Sequence, residues 1–246
     1  MQSIEINKSI IRDFYQRAVG QGDIAFARQI IADDYIQHSP GLKPGKAGVL
    51  EALEYMKQMP KPATTTTPFM RLIAEGDYVV TNLSFDWGDT RKVVVDLFRF
   101  ENGKVAEHWD AVEDEPDTTL NGHPMMDGPM PGEDADLTMV NKQLVCDFYQ
   151  RVVIDQQLEV MPDFIAPDLV QHMPDIADGI DGLRTYLTKS SETWSIRLID
   201  RVIGEGDFVV VQTQGQFRHK QATFYAICRI NDGEIVEQWG VKRLVP

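Results

Sequence analysis

At 246 residues, 43% of them hydrophobic, the chain can hold one large or two ordinary domains and is too apolar for wholesale disorder. A net charge of −14 and a pI near 4.7 argue against nucleic acid as a partner, because phosphate binding wants clustered Lys and Arg. No apolar run reaches membrane-span length, Met1-Gln-Ser-Ile-Glu5 opens no basic-then-apolar leader, and Cys146 and Cys228 make neither a disulfide framework nor a CxxC metal signature, so a soluble cytoplasmic protein is expected.

In chain order, residues 7–19 carry Ile10, Ile11, Phe14 and Ala18 at helical spacing. Asp23 is a candidate N-cap for a second helix with Ala25, Phe26, Ile30 and Ile31 as its apolar positions. Residues 46–58 read as a third helix with Val49, Leu50, Leu53 and Met56 inward. Strand candidates follow at 69–75, 78–87, 91–100 and 104–113, with turns at Glu75-Gly76-Asp77, Gly88-Asp89 and Asn102-Gly103. Helices first and antiparallel strands after them give an α+β class, with helices on one face of a curved sheet.

The chain then repeats itself. Asn7-Lys8 through Asp13-Phe14-Tyr15-Gln16-Arg17 returns 134 residues later as Asn141-Lys142 through Asp147-Phe148-Tyr149-Gln150-Arg151. Gln37-His38-x-Pro40 returns as Gln171-His172-x-Pro174, and Gly45-x-x-Gly48 as Gly179-x-x-Gly182. Beyond a loss of four residues around Pro60–Pro68 the offset is 130, and Glu75-Gly76-Asp77 matches Glu205-Gly206-Asp207. This is the duplication of a whole domain. The expected boundaries are 1–113 for the first copy, 114–137 for a Pro-, Gly- and Asp-rich linker, and 138–246 for the second copy. The linker's apolar middle, Asn121-Gly-His-Pro-Met-Met126, reads as a segment laid over the surface, with a flap over a cavity as the functional alternative.

One stretch differs informatively between the copies. Asp96 to Asp110 reads as two strands around a Gly turn. A three-residue loop with Gly103 left-handed places Asp96, Phe98, Ala106, His108 and Asp110 on one face, and Leu97, Arg99, Val105, Glu107 and Trp109 on the other. A two-residue Asn-Gly loop is the competitor; it moves Asp96 to the opposite face from His108 and Asp110. In the second copy Arg229, Gly233, Glu237 and Trp239 repeat Arg99, Gly103, Glu107 and Trp109, but Asp96, His108 and Asp110 become Ala226, Gln238 and Gly240. One face is kept; the other loses its ionisable groups.

The Phe-Tyr helix, Tyr35-Ile-Gln-His38, Glu-Gly-Asp-x-Val-Val and Asp-x-Phe-Arg-x-x-x-Gly-Lys-Val-x-Glu-His-Trp together resemble the SnoaL-like polyketide cyclase group of the nuclear-transport-factor-2-like superfamily, which includes ketosteroid isomerase. The resemblance covers about 5–113 and again about 139–244. It implies two cones, each a strongly bent, mainly antiparallel sheet wrapped on about three helices around a pocket. It also implies ring closure by intramolecular aldol chemistry with no metal and no organic cofactor. The acid/base Asp of the group matches Asp110, and its assisting polar residue, often His, matches Asp96; Gly240 departs from the base position in the second copy. Single domains of this kind usually dimerise, so the two copies are expected as an internal pseudo-dimer, with a further homodimer open.

Proton abstraction beside a carbonyl needs a tuned base and a donor for the developing oxyanion. The candidate catalytic residues are Asp110 as base, Asp96 as its partner, and His108 and His38 as donors. Phe98, Trp87, Tyr15 and Tyr55 are candidates for the first pocket, and His172, Cys228, Gln238 and Trp194 for a less ionisable second pocket. His38 recurs as His172 where the acids are absent, which favours a structural role; Arg99 with Glu107 reads as a cross-strand ion pair. A carboxylate–histidine metal site is the weaker alternative for the same face, since no HxH or ExxH pair is present. The leading function is a cofactor-independent acid/base enzyme, a cyclase or isomerase, acting on a small carbonyl compound, and the expected partner is a small apolar or carbonyl-containing molecule. The alternatives are a non-catalytic small-molecule binding protein using the same pockets, and a scaffold using the outer sheet faces.

Overall fold

A computed structural model describes residues 3–59, 70–132, 136–189 and 194–245. The first copy runs α1 (Ile4–Asp13), a π-helical continuation (Phe14–Gly20), α2 (Ile24–Ile30), β1 (Ile31–Gln37), α3 (Gly45–Lys57), β2 (Met70–Glu75), β3 (Tyr78–Trp87), β4 (Thr90–Glu101) and β5 (Lys104–Asp114). The second runs α4 (Thr138–Phe148), a π-helical continuation (Tyr149–Ile154), a 3-10 turn (Leu158–Asp163), β6 (Ile165–Gln171), α5 (Gly179–Lys189), β7 (Trp194–Glu205), β8 (Phe208–Phe217), β9 (Lys220–Asn231) and β10 (Glu234–Leu244). Each copy has its own five-stranded sheet, ordered β1-β5-β4-β3-β2 and β6-β10-β9-β8-β7. The expected class, two tandem α+β domains, is what is found.

Local chemistry explains the elements. Ser3 and Asp23 cap α1 and α2 by accepting from Ile6 N–H and Phe26 N–H. Gly45 and Gly179 enter α3 and α5 with φ of 74° and 78°. One turn on, a Cβ at Gly48 or Gly182 would sit 2.0 Å from Lys43 O or 2.2 Å from Ala177 O, which accounts for the repeated Gly-x-x-Gly. Ile11, Ala27, Leu50, Leu53, Val79, Phe98 and Phe100 share one buried cluster between helices and sheet; Val145, Phe148, Leu183, Val209 and Cys228 belong to its counterpart.

Three sequence expectations are corrected. Ile31 does not extend the second helix but begins β1, which pairs in parallel with β5 from Ile31–Val105 to Gln37–His108. Seven residues are too short to announce a strand beside a helix. Met56 is 36% exposed and Tyr55 65% exposed, because the inward stripe of α3 is Gly48, Val49, Leu50 and Leu53. The four-residue loss around Pro60–Pro68 lies outside the described residues.

The third correction is the hairpin. β4 ends at Glu101 and β5 starts at Lys104, so the loop is two residues, Asn102 (φ 51°) and Gly103 (φ 78°), both left-handed. The second copy uses the same loop, Asp232 (φ 50°) and Gly233 (φ 80°). There the register runs Asn231–Glu234 and Ile230–Ile235, then shifts by one to Arg229–Glu237, Cys228–Gln238 and Ala226–Gly240. Val236 is the extra residue of a β-bulge. Carried back by the 130-residue offset, Ala106 is the extra residue, and Asp110 stands opposite Asp96. The bulge undoes the inversion that the short loop alone would impose. Val105, which precedes it, consequently joins Phe98 and Phe100 in the core instead of sharing the Leu97 face.

By contacts the described chain divides into a first unit ending at Thr81 together with Asp96–Asp110, and a second made of Asn82–Val95 and the residues from Ala111 onward. Within the second unit the linker is laid on the protein surface. Leu120 N–H donates to Pro174 O, Asn121 Nδ2 to Met173 O and Ile176 O, and Trp239 Nε1 to Asp127 O, while Met125 and Met126 are buried.

Candidate functional site

The helix-facing side of the β4–β5 hairpin carries the polar centre of the first unit. Asp96 is buried. Its Oδ1 lies 2.9 Å from His108 Nε2, and its Oδ2 accepts from the Tyr15 hydroxyl and from Thr81 Oγ1 at 3.3 Å. Tyr15 comes from the π-helical continuation of α1, and Thr81 from β3. The Phe98 ring packs 4.7 Å from the His108 ring and edge-on to Phe14 and Tyr15.

The network fixes where its hydrogens sit. Ser39 N–H donates to Gln37 Oε1 at 3.1 Å and Gln37 Nε2 donates to the Tyr35 oxygen at 3.1 Å, which sets the orientation of that amide. Gln37 Oε1 can only accept, so His108 Nδ1, 3.0 Å away, carries a hydrogen. His108 Nε2 and Asp96 Oδ1 then hold one proton between them: imidazolium with carboxylate, or imidazole with carboxylic acid.

Asp110 faces the same interior. Burial pushes the Tyr15 phenol well above its ordinary value, the Asp96 charge pushes it further, and Asp110 adds to the push. Burial, then Asp96, then Asp110 act in the same order on Tyr35. Both tyrosines therefore remain neutral donors at any physiological pH.

His38 does not join this centre. It belongs to the opposite face of the sheet, where its Nε2 meets Glu107 Oε2 at 2.9 Å and its ring stacks on Trp109 at 4.4 Å. Arg99 Nε closes the set onto Glu107 Oε1 at 2.8 Å, the cross-strand pair expected from the sequence. Burial raises the Glu107 carboxyl, but the His38 and Arg99 hydrogen bonds together hold it below the usual range. The second unit repeats the arrangement: His172 on Glu237 at 2.9 Å, Arg229 on Glu237 at 2.8 Å, and His172 stacked on Trp239 at 4.9 Å. There His172 Nδ1 also meets the linker carbonyl of Pro124 at 2.8 Å.

Of the remaining pocket candidates, Tyr55 projects from the outer side of α3, and Trp87 is 46% exposed near the end of β3 with its ring against Phe85. Sequence reasoning missed Gln37, Tyr35 and Thr81. Gln37 had a signal, the repeated Gln-His pair; Thr81 had none. In the second unit a cavity lined by Tyr149, Trp194 and Gln238 opens on the helix-facing side. His172 lies on the other side of the sheet, and Cys228 is sealed behind Gln238, 3.8 Å from its Nε2. Among the described residues no group of three or more His, Cys, Asp or Glu is placed to hold a metal ion, and no helix is long and apolar enough to cross a membrane.

The model of the SnoaL-like domain family matches residues 11–108 and 145–238. The chain belongs to the SnoaL-like domain family. Both SnoaL-like copies thus lie in one polypeptide. A search of curated proteins finds no match. Among solved structures, an NTF-2 like protein of unknown function from Burkholderia xenovorans is 21% identical, covering 47% of this chain and 89% of its own at a TM-score of 0.40. A SnoaL-like polyketide cyclase from Agrobacterium tumefaciens is 13% identical, covering 43% and 91% at 0.36. TsrD from Streptomyces laurentii is 19% identical, covering 46% and 92% at 0.36.

Proposed function

We propose that the first SnoaL-like copy is a cofactor-independent acid/base enzyme acting on a small carbonyl compound, by aldol-type cyclisation or isomerisation. Asp110 takes the proton from the carbon next to the carbonyl; the C–H electrons move onto the carbonyl oxygen as an enolate. That oxygen competes with Asp96 for the Tyr15 hydroxyl, which stays protonated in its buried setting. The enolate carbon then attacks a second carbonyl, whose π electrons move onto its oxygen and take the proton back from Asp110, or the enolate is reprotonated at another carbon by Asp110. Asp96, with Gln37 behind His108, keeps the shared proton and the His108 ring in place. The observation that carries this reading is the buried Asp96 joined to Tyr15, Thr81 and His108 on the side of the sheet that Asp110 also faces.

The test is hydrogen–deuterium exchange at the α-carbon of small ketones such as cyclohexanone in D2O, followed by proton NMR. The intact chain should accelerate exchange, and Asp110→Asn should remove at least about a hundredfold of it, the usual lower bound for general-base catalysis. Equal rates with the variant and the parent protein would sink the proposal. A second reading, a non-catalytic binding protein, is favoured by one observation: the described cavity lies in the unit without the two acids.

A further inference from the structure

Ser39 continues the interior-facing row of β1. Gln37 bonds to Tyr35 and to His108 on the helix-facing side, whereas Ile36 is exposed and His38 stacks on Trp109 on the opposite face. Alternation returns Ser39 to the interior. β1 and β5 pair as Gln37–His108, and His38 N–H donates to His108 O at 2.9 Å. Two residues further along both strands, Ser39 stands beside Asp110. The second copy shows that a side chain at this place reaches its neighbour. Met173, the counterpart of Ser39, has its Sδ 2.8 Å from where a Cβ on Gly240, the counterpart of Asp110, would sit. Met173 also borders the interior cavity of that copy.

The Ser39 hydroxyl is unused by the fold. Ser39 is 6% exposed. Its N–H donates to Gln37 Oε1 at 3.1 Å and its carbonyl accepts from Leu42 N–H at 3.2 Å. Among the described residues its Oγ has no hydrogen-bond partner. A buried hydroxyl left unpaired costs stability, and proteins carry that cost at functional sites. In the second copy the hydroxyl and the base are gone together, as Met173 and Gly240, while the outer-face histidine, glutamate and tryptophan are kept. β5 lies between β4 and β1 in the sheet. Asp110 therefore has Asp96 with its Tyr15 hydroxyl on one side and Ser39 on the other.

We infer that Ser39 is a catalytic residue of the first copy, the donor to a second carbonyl oxygen of the substrate, and that the reaction is the aldol-type ring closure rather than the isomerisation. The inference rests on the acid/base reading of Asp110. Isomerisation develops charge on one oxygen, which the Tyr15 hydroxyl serves; an aldol step develops it on two in turn. Asp110 takes the α proton, and the first carbonyl oxygen becomes the enolate oxygen facing Tyr15. The enolate carbon bonds to the second carbonyl carbon, and the π pair of that carbonyl moves onto its oxygen against the Ser39 hydroxyl. That oxygen takes the proton from Asp110, which is carboxylate again. Ser39 keeps its own hydrogen throughout.

Two reactions followed by proton NMR test it. Exchange at the α-carbon of cyclohexanone involves one oxygen. Closure of heptane-2,6-dione to its cyclic hydroxyketone, and to the methylcyclohexenone formed from that by loss of water, involves two. The intact chain should accelerate both. Ser39→Ala should lower kcat for ring closure by about a hundredfold, the lower figure for loss of one oxyanion donor, and this loss should exceed its loss in exchange by about tenfold or more. Ser39→Thr, which restores a hydroxyl, should recover most of it. Since the hydroxyl is unpaired in the fold, the Tm of Ser39→Ala should equal or exceed that of the parent chain. Exchange without ring closure by the intact chain, equal losses in the two reactions, ring closure indifferent to Ser39→Ala, or a lower Tm for that variant would each overturn the assignment to Ser39 and leave the reading of Asp110 standing. Absence of both reactions in the intact chain sinks the reading of Asp110, and the assignment to Ser39 falls with it.

Discussion

Asp96 Oδ1 and His108 Nε2 stand 2.9 Å apart with one proton between them, because Gln37 has already fixed the hydrogen on the far side of the ring. Asp96→Asn can reproduce every bond: its amide nitrogen donates to a neutral His108, and its oxygen still accepts from Tyr15 and Thr81. Unfolding in urea should then cost within about 1 kcal/mol of the parent protein, whereas Asp96→Ala, which takes a partner from Tyr15, Thr81 and His108 at once, should cost about 3 kcal/mol or more. Nitrogen NMR of the His108 ring in Asp96→Asn should show one hydrogen, on Nδ1, at neutral pH.

Alkaline stability is governed by the buried phenols. Tyr15 and Tyr149 are raised in the folded protein by burial first, and Tyr186 is pushed up to about 12 by burial, then Asp175 and Glu113. In the unfolded chain these groups ionise near about 10. Above that pH the unfolded state holds fewer protons than the native one, so stability falls as pH rises. Ultraviolet titration should show most tyrosinate absorbance appearing together with loss of circular dichroism, above about pH 10.

On the acid side the sign reverses. Glu107 and Glu237 lie below their ordinary value in the fold: burial acts to raise each, and the paired histidine and arginine outweigh it. Their contribution is present above the unfolded carboxylate value and is lost as pH falls through the folded one. Glu237 is the more enclosed, its side chain 7% exposed against 18% for Glu107. Glu237→Gln should therefore cost about 3 kcal/mol in denaturant melts and Glu107→Gln about half of that.

The helix-entry glycines make a backbone prediction. Gly48→Ala and Gly182→Ala each press a methyl against a carbonyl oxygen at 2.0 and 2.2 Å. Neither oxygen can yield without shifting the chain ahead of the helix. Each change should lower thermal stability, by about 1–3 kcal/mol for such overpacking, while alanine at Gly41, which meets nothing within 4 Å, should not.

Much of this architecture was legible because it rests on strong local signals. The duplicated Asn-Lys, Gln-His-x-Pro and Gly-x-x-Gly motifs show that the chain is written twice, and the alternation from Asp96 to Asp110 shows a hairpin. The conclusion that Asp96 and Asp110 share a face is supported, but by a different route: a two-residue loop inverts the pattern and the bulge restores it. Bulges carry no compositional mark, so two compensating irregularities read as one regular strand pair. Partners supplied from distant elements were invisible. Tyr15 sits 81 residues from Asp96; its spacing marked it as a pocket candidate but carried no sign of its bond to Asp96. Tyr55 failed for the converse reason: a tyrosine on an amphipathic helix is as often a rim residue as a lining one.

The wide helical turns have a consequence of their own. Phe14–Gly20 in one copy and Tyr149–Ile154 in the other wind with more residues per turn than an ordinary helix, and the inward-facing tyrosine belongs to that widened stretch both times. Deleting a single residue from either would return it to regular winding and turn the downstream side chains by about 100° against the upstream ones. The direction of the chain beyond both phenols is thus set by a surplus residue in the spiral, and it persists in the copy that has given up its acids.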